Sequence, residues 1–169
     1  DELIGKKFIM YIGRPTPHKN LRRLIDAFAL LQKKYPDLTL ALAGKKDSNY
    51  ARHETYVNEH RIKNVVFTGF ISDEQLRWMY ENTAVYCFPS LSEGFGLPGL
   101  EAMLHGAPVA SSTATCLPET HGDAAHYFDP FSVEDIAKSI DDILSDDKLR
   151  NELVKKGKKH VKTFSWQRM

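Results

Sequence analysis

Six short apolar runs recur along the chain, and segments with helical character separate most of them. The runs occupy residues 7–13, 38–44, 65–70, 84–90, 107–112 and 126–130. A near-continuous apolar run is typical of a strand that is covered on both faces of a sheet. Strands that alternate with helices are joined by crossovers, and crossovers connect parallel strands. The pattern therefore predicts an α/β fold of three layers, with helices on both faces of a parallel sheet of about six strands.

The segments between these runs carry the spacing and the end signals of helices. Apolar residues fall at helical intervals over residues 21–31, behind Asn20 as a candidate N-cap. Ser72 and Gln75 have the spacing of a capping box, which predicts the start of another helix. Further helices are expected at residues 49–61, 98–105 and 147–162 and from residue 132 onward.

The charge balance and the cysteine content exclude several classes of protein. Lys and Arg number 23 and Asp and Glu number 22, so the net charge of +1 gives no reason to expect a nucleic acid as partner. No apolar stretch approaches the ~20 residues of a membrane-spanning helix. Cys87 and Cys116 lack the spacing of metal ligands, so we expect no metal site, and a reducing cytoplasm is the expected location.

Three polar or glycine-rich loops follow predicted strands, at residues 13–19, 69–72 and 90–97. In folds with an open parallel sheet, ligands bind beyond the carboxyl ends of the strands. Since strand ends can bring loops together that are far apart in sequence, we expect these three loops to contribute to one binding site.

The third loop reads SEGFGLPGLE and leads into a short helix. Pro98 suits the first turn of that helix, and Gly106 suits the residue just past its end. The backbone amides before the helix can point toward a ligand, and the helix dipole favours an anion or an electron-rich oxygen there. These amides belong to Gly94, Phe95, Gly96 and Leu97.

Two carboxylates, Glu93 and Glu101, flank this loop eight positions apart. Because a carboxylate repels a phosphate, we expect both side chains to accept hydrogen bonds from hydroxyl groups. Arg14 and Lys19, after the first run, supply cations suited to a diphosphate. A nucleotide sugar carries both kinds of group. The alternatives are that the glutamates only favour the helix start and that the cations, like His18 between them, are solvated surface residues.

Four segments together resemble the C-terminal, nucleotide-sugar-binding domain of retaining GT-B glycosyltransferases of family 4, the glycosyl transferases group 1. The segments read GRPTPHKN, VVFTGF, SLSEGFGLPGLEAM and LPETHGDAAHYFDP. The resemblance runs from about Lys7 to Trp166 and implies a Rossmann-like domain, the C-terminal half of a GT-B fold. Two positions depart from the family pattern: AGKKD stands where Gly-x-Gly is common, and Gly99 stands where the family varies.

The resemblance also implies roles for individual residues. Arg14 and Lys19 would bind the donor diphosphate, and Glu93 would contact the hexose through its hydroxyl groups, which makes these three the catalytic candidates. Glu101 would accept hydrogen bonds from the ribose. The remaining donor-binding candidates are Gly13, Phe70, Ile71, Gly94, Phe95, Gly96 and Leu97, with Phe70 and Ile71 beside the base. Members of the family usually need no metal or other cofactor.

The implied function is the transfer of a hexose from a nucleoside diphosphate to an acceptor hydroxyl, with retention at the anomeric carbon. GDP-mannose is the first expectation for the donor and a UDP-hexose the second, in the synthesis of a polysaccharide or glycolipid. A saccharide or lipid-linked acceptor would bind an N-terminal domain of the same protein. The chain, from Asp1 to Met169, is therefore interpreted as a single domain excised from a two-domain enzyme and inactive alone.

Two other functions are compatible with the same residues. One is a non-catalytic module that binds nucleotide sugars, and the other is an epimerase or phosphorylase of similar architecture. A parent protein with a further domain of usual size before this one would favour the transferase.

The C-terminal segment is strongly basic, with eight Lys or Arg against three acids from residue 146 onward. A basic helix can lie on anionic lipid, so peripheral membrane contact is one interpretation. The other is a solvated helix face, with Leu149, Leu153 and Phe164 packed inward. The cations are Lys148, Arg150, Lys155, Lys156, Lys158, Lys159, Lys162 and Arg168.

Overall fold

The computed structural model describes residues 2–164 and contains six strands and seven α-helices there. The strands are β1 (Phe8–Ile12), β2 (Thr39–Ala43), β3 (Val65–Gly69), β4 (Val85–Phe88), β5 (Val109–Ser112) and β6 (Ala125–Phe128). The helices are α1 (Leu21–Leu31), α2 (Ser48–Glu59), α3 (Asp73–Asn82), α4 (Leu97–Leu104), α5 (Leu117–His121), α6 (Val133–Ser145) and α7 (Asp147–His160). Each predicted strand is present, and the predicted α/β class is confirmed.

The six strands form one sheet in the order β3-β2-β1-β4-β5-β6, and every neighbouring pair is parallel. Strands β2 and β3 are added in turn on one side of β1. The chain then crosses to the other side of β1, where β4, β5 and β6 follow. The direction of building therefore reverses between β1 and β4. Such a reversal opens a crevice at the carboxyl ends of the two strands, because their loops leave toward opposite faces of the sheet.

Alternate residues of each strand face two separate hydrophobic clusters. Ile9 and Tyr11 of β1 contribute to a cluster with α1 and α6, whereas Phe8 and Met10 contribute to a second cluster with α3 and α4. All four side chains are nearly inaccessible to solvent. Both faces of the sheet are thus covered, which explains why the strands read as continuous apolar runs in the sequence.

The helix ends follow local chemistry in one case and tertiary contacts in another. At α3, Ser72 and Gln75 form both hydrogen bonds of the predicted capping box. Asn20 does occupy the N-cap position of α1, but its φ is 60° and its side chain makes no capping bond. Its amide instead donates to the carbonyls of Pro89, at 3.0 Å, and Pro130, at 2.7 Å. Asn20 therefore ties together the loops that follow β1, β4 and β6.

The C-terminal helix α7 packs against the rest of the domain with its apolar side. Leu153 is buried, and Gly157 lies against Met103 of α4. Phe164 contacts the ring of Phe95 edge to face. These contacts agree with the inward packing predicted for this helix. Trp166 and Arg168 lie outside the described residues. Across residues 2–164, the structure has no helix with the length and apolar content that a membrane crossing requires.

Candidate functional site

The loops that follow β1 and β4 meet at the crevice where the direction of sheet building reverses. The amide of Leu91 donates to the carbonyl of His18 at 2.7 Å, so the two loops are joined through their backbones. One loop carries Arg14 and Lys19, and the other carries Glu93. The structure thus brings Glu93 to the loop of Arg14 and Lys19, although 74 positions separate Lys19 from Glu93 in the sequence.

Lys19 and Glu93 form an ion pair across this crevice. The Lys19 Nζ lies 2.6 Å from Glu93 Oε1, and the two side chains are only 19% and 12% exposed. Arg14 lies nearby in the same loop with an exposed side chain, and its guanidinium has no ion-pair partner within the described part of the chain. The site therefore holds one cation that is already neutralised and one that is free to bind an anion.

Tight packing fixes the backbone beneath these side chains. Gly13 has a φ of 148°, and a Cβ at this position would lie 2.6 Å from the Tyr11 hydroxyl. A Cβ at Gly44 would collide with the Gly13 carbonyl. Burial raises the pKa of Tyr11, and the nearby charge of Glu93 raises it further, so the phenol stays neutral. The predicted donor residue Gly13 thus has a structural requirement of its own.

The turn before α4 presents unpaired backbone donors. The amides of Gly94, Phe95, Gly96 and Leu97 donate no hydrogen bond to any residue between 2 and 164. Gly96 caps α4 with a φ of 89°, where a side chain would also meet Leu117 at 2.7 Å. Four free amides beside a helix N-terminus form a suitable cradle for phosphate or hydroxyl oxygens.

The backbone of Glu93 is held by the segment after β5. Its amide donates to Thr115 Oγ1 at 3.1 Å, and the Cys116 thiol donates to its carbonyl at 3.3 Å. Thr115 itself has a φ of 51°, in the left-handed region. Cys116 is half-buried. These contacts fix the backbone position from which the Glu93 side chain extends into the crevice.

Glu101 lies on α4 with its side chain exposed. The hydroxyl of Tyr80, on α3, donates to Glu101 Oε2 at 3.3 Å and also lies 3.4 Å from the Pro98 carbonyl. Burial raises the pKa of Tyr80, and Glu101 adds to that shift, so Tyr80 acts as a neutral donor. Tyr80 was not predicted from the sequence, since it reads there as an ordinary apolar position of a helix.

His121 is a second residue that sequence reasoning missed. Its imidazole is fully buried behind the turn before α4, where Nε2 lies 3.1 Å from the Gly96 carbonyl oxygen and Nδ1 lies 3.2 Å from Ser111 Oγ. Burial is the main cause that lowers the pKa of His121, whereas its bond to Gly96 opposes the shift. The five-residue helix α5 that carries His121 was not predicted either, and no periodicity signals it.

Phe70 and Ile71 lie at the carboxyl end of β3, the outermost strand on one side of the sheet. They follow β3, which β2 separates from β1, so about 10 Å of sheet width lies between them and the Arg14 loop. The Phe70 side chain is 87% exposed. A cavity of about 510 Å³ also touches both residues, but it extends over β3 and α3 toward Leu3 and includes no other candidate residue.

Comparison with known proteins identifies a family and a curated relative that this chain resembles. The sequence model of the family described as "Glycosyl transferases group 1" matches residues 2–160. The O-antigen chain mannosyltransferase B of Escherichia coli is 36% identical over 171 aligned residues, which cover 98% of this chain and 44% of that protein. The chain thus spans less than half the length of this curated relative.

Two solved structures share the fold. Sucrose-phosphate synthase from Thermosynechococcus elongatus superposes with a TM-score of 0.86 at 29% identity, over 97% of this chain and 43% of that chain. The C-terminal domain of a glycosyl transferase group 1 family protein from Francisella tularensis gives a TM-score of 0.80 at 28% identity, over 94% and 85% of the two chains. The second structure contains little beyond the matching domain.

Proposed function

The chain belongs to the glycosyl transferases group 1 family, and we propose that it binds the nucleotide-sugar donor of a hexosyltransferase. Since it spans 44% of its Escherichia coli relative, we further propose that a preceding domain of the same protein binds the acceptor. The acceptor is then a saccharide or a lipid-linked saccharide, and the reaction belongs to polysaccharide or glycolipid synthesis.

The observation that carries this proposal is the contact between Lys19 and Glu93 at the crevice between β1 and β4. A cation and a carboxylate held side by side suit a ligand that carries both phosphates and hydroxyl groups. The free amides before α4 border the same crevice and add donors for phosphate oxygens. Phe70 follows β3, and β2 separates that strand from β1. At this distance Phe70 can contact the base of a nucleotide whose diphosphate binds Arg14.

We propose GDP-mannose as the donor. The sugar is supported by the name of the Escherichia coli relative, a mannosyltransferase. The base rests on the resemblance of two segments, SLSEGFGLPGLEAM and LPETHGDAA, to those of mannosyltransferases, and a UDP-hexose is the second candidate. Glu101 is assigned to the ribose hydroxyls, because its exposed carboxylate follows the amide-lined turn by one helical turn.

The proposed reaction proceeds with retention, through an oxocarbenium-like transition state in which negative charge builds on the leaving diphosphate. Arg14, Lys19 and the amides before α4 stabilise that charge, so no metal is required for leaving-group departure. Glu93 orients the hexose through its hydroxyl groups and does not act as a double-displacement nucleophile. In the proposed mechanism, all three catalytic candidates have positioning or electrostatic roles.

The test is a calorimetric titration of the 169-residue chain with GDP-mannose, UDP-glucose, GDP and UDP, in EDTA. We expect one base class to bind, and Glu101→Ala to weaken that binding by about tenfold or more, since charge-assisted hydrogen bonds to the ribose are lost. Glu59→Ala, at the exposed end of α2, is the matched control and should bind as the parent chain does.

Binding only with a divalent cation would contradict the metal-free part of the proposal. If neither base class binds to the chain or to its longer parent protein, the donor assignment itself is wrong. Binding that Glu101→Ala leaves unchanged would overturn only the role of Glu101.

Gly94 gives a separate prediction, because no structural requirement explains why it is a glycine. Its φ lies outside the left-handed region, and a Cβ there would meet nothing within 4 Å. Gly94→Ala should therefore change the free energy of unfolding by less than about 0.5 kcal/mol. It should weaken donor binding by about tenfold, because the added methyl group occupies the space through which the donor approaches the backbone.

Thermal unfolding and titration of the Gly94→Ala variant measure these two effects separately. Gly96→Ala is the contrasting variant, since the φ of 89° and the close contact with Leu117 predict a clear loss of stability. A Gly94→Ala chain that binds the donor normally would show that the ligand does not approach this peptide.

A further inference from the structure

We propose that His121 is a positioning residue, which holds the turn before α4 in the shape that binds the donor diphosphate. This inference rests on the proposed function. His121 is fully buried behind the turn and cannot touch a ligand in the crevice. It acts through the peptide between Gly96 and Leu97, whose carbonyl it contacts.

The hydrogen bond to Gly96 determines which ring nitrogen of His121 carries a proton. The Gly96 carbonyl can only accept a hydrogen bond, so the Nε2 atom at 3.1 Å must carry a proton. Burial lowers the pKa of His121 and so favours the neutral imidazole, which has one ring proton. Nδ1 then accepts a hydrogen bond from the Ser111 hydroxyl at 3.2 Å, in competition with the Ser112 carbonyl, which lies 3.3 Å from the same hydroxyl. The imidazole thus connects the end of β5 to the turn before α4 through two directed bonds.

The contact with Gly96 determines the direction of a donor amide. In a trans peptide the carbonyl and the following N–H point in opposite directions within one plane. His121 holds the Gly96 carbonyl on the buried side of the turn, and Gly99 donates to the same oxygen at 3.1 Å. The N–H of Leu97, in the same peptide, is therefore directed away from the core and toward the crevice, where it donates to no residue within the described chain.

Close packing prevents the turn from shifting along the imidazole. A Cβ at Gly99 would collide with the His121 ring, and a Cβ at Gly96 would lie 3.2 Å from Nε2. Gly99 has ordinary helical backbone geometry, so its lack of a side chain is required by His121 and not by its own conformation. The turn before α4 thus rests directly on the imidazole edge.

Two substitutions separate positioning from simple packing. His121→Gln keeps an N–H that can reach the Gly96 carbonyl, whereas His121→Leu fills a similar volume without any donor. With GDP-mannose as the titrant in calorimetry, we expect His121→Leu to weaken binding by about tenfold and His121→Gln by less than about threefold. The Leu97 amide signal in an ¹⁵N–¹H NMR spectrum should shift strongly in His121→Leu and only slightly in His121→Gln.

His126→Leu is the matched control. This histidine is half-buried on β6 and contacts Asp142 at 3.0 Å, away from the turn before α4. The control should lower the unfolding temperature without a change in donor affinity. If His121→Leu does not fold, Ser111→Ala provides the same test, because it removes the partner that orients Nδ1. Weakened donor binding and a shifted Leu97 signal are expected for that variant too.

If His121→Leu binds the donor as tightly as the unsubstituted chain does, the inference is wrong. The same holds for Ser111→Ala where it replaces His121→Leu. Equal losses in His121→Leu and His121→Gln would also overturn it, since the retained N–H would then be irrelevant. If binding is normal in the His121 variants and lost in Glu101→Ala, the positioning role alone fails. If the unsubstituted chain and its longer parent protein bind no nucleotide, the proposed function and the inference fail together.

Discussion

Replacing Lys19 with methionine in the full-length protein is expected to lower the turnover number by about 10²–10³-fold, the usual effect of losing one group that stabilises transition-state charge. Lys19 lies in a partly desolvated crevice, with 19% of its side chain exposed, so its charge is screened less than that of a surface lysine. The substitution also leaves the Glu93 carboxylate without its partner, and that carboxylate then repels the leaving diphosphate. Both effects raise the barrier to departure.

The measurement for Lys19→Met is the initial rate of nucleoside diphosphate release with acceptor present. Lys34→Met is the matched control, because Lys34 pairs with Asp141 on an exposed surface, and its rate should stay within about twofold of the parent. Adding Glu93→Gln to Lys19→Met should restore part of the lost binding of the nucleoside diphosphate, since it removes the unpaired carboxylate. If the turnover number of Lys19→Met equals that of the parent protein, Lys19 has no catalytic role.

The strands could be predicted from the sequence because both faces of the sheet are buried. A run such as Phe8–Ile12 must then be apolar at almost every position, and the signal is strong even over five residues. The order of the strands could not be predicted in the same way. It depends on pairing between distant segments, such as β1 with β4, which leaves no local trace in the sequence.

The loops of the site could also be predicted, but the contacts within them could not. The rule that ligands bind at strand ends selects the loops of Arg14, Glu93 and Phe70 without knowledge of strand order. The pairing of Lys19 with Glu93 follows only once β1 and β4 are neighbours. Tyr80 was missed because a buried tyrosine on a helix has the same pattern as any core residue.

Asn20 shows how tertiary contacts override a local preference. Asparagine before a helix is a common N-cap, and the sequence predicts only that local role for Asn20. In the structure its amide bridges the carbonyls of Pro89 and Pro130, and its backbone adopts the left-handed conformation that asparagine tolerates. The segments that it joins lie 69 and 110 positions away, beyond the range of any local pattern.

Glu93→Gln is expected to abolish the preference for a nucleotide sugar over the bare nucleoside diphosphate. Lys19 Nζ lies 2.6 Å from the Glu93 carboxylate, so an incoming diphosphate must compete with that carboxylate for Lys19. A hexose offsets this competition by donating hydroxyl hydrogen bonds to Glu93, and bonds to a charged acceptor contribute about 1.5–3 kcal/mol each. The nucleoside diphosphate without a hexose also competes with Glu93 for Lys19, but it donates no hydroxyl hydrogen bond to Glu93.

Loss of the Glu93 charge should therefore act in opposite directions on the two ligands. We expect GDP to bind Glu93→Gln as tightly as the parent chain or more tightly, and GDP-mannose to bind about tenfold or more weakly. Glu101→Gln is the control, because ribose is present in both ligands and both affinities should fall by the same factor. If Glu93→Gln weakens GDP and GDP-mannose equally, the carboxylate only holds Lys19 in place and has no contact with the hexose. Calorimetric titration of the two variants with the two ligands decides between a sugar-binding and a lysine-holding Glu93.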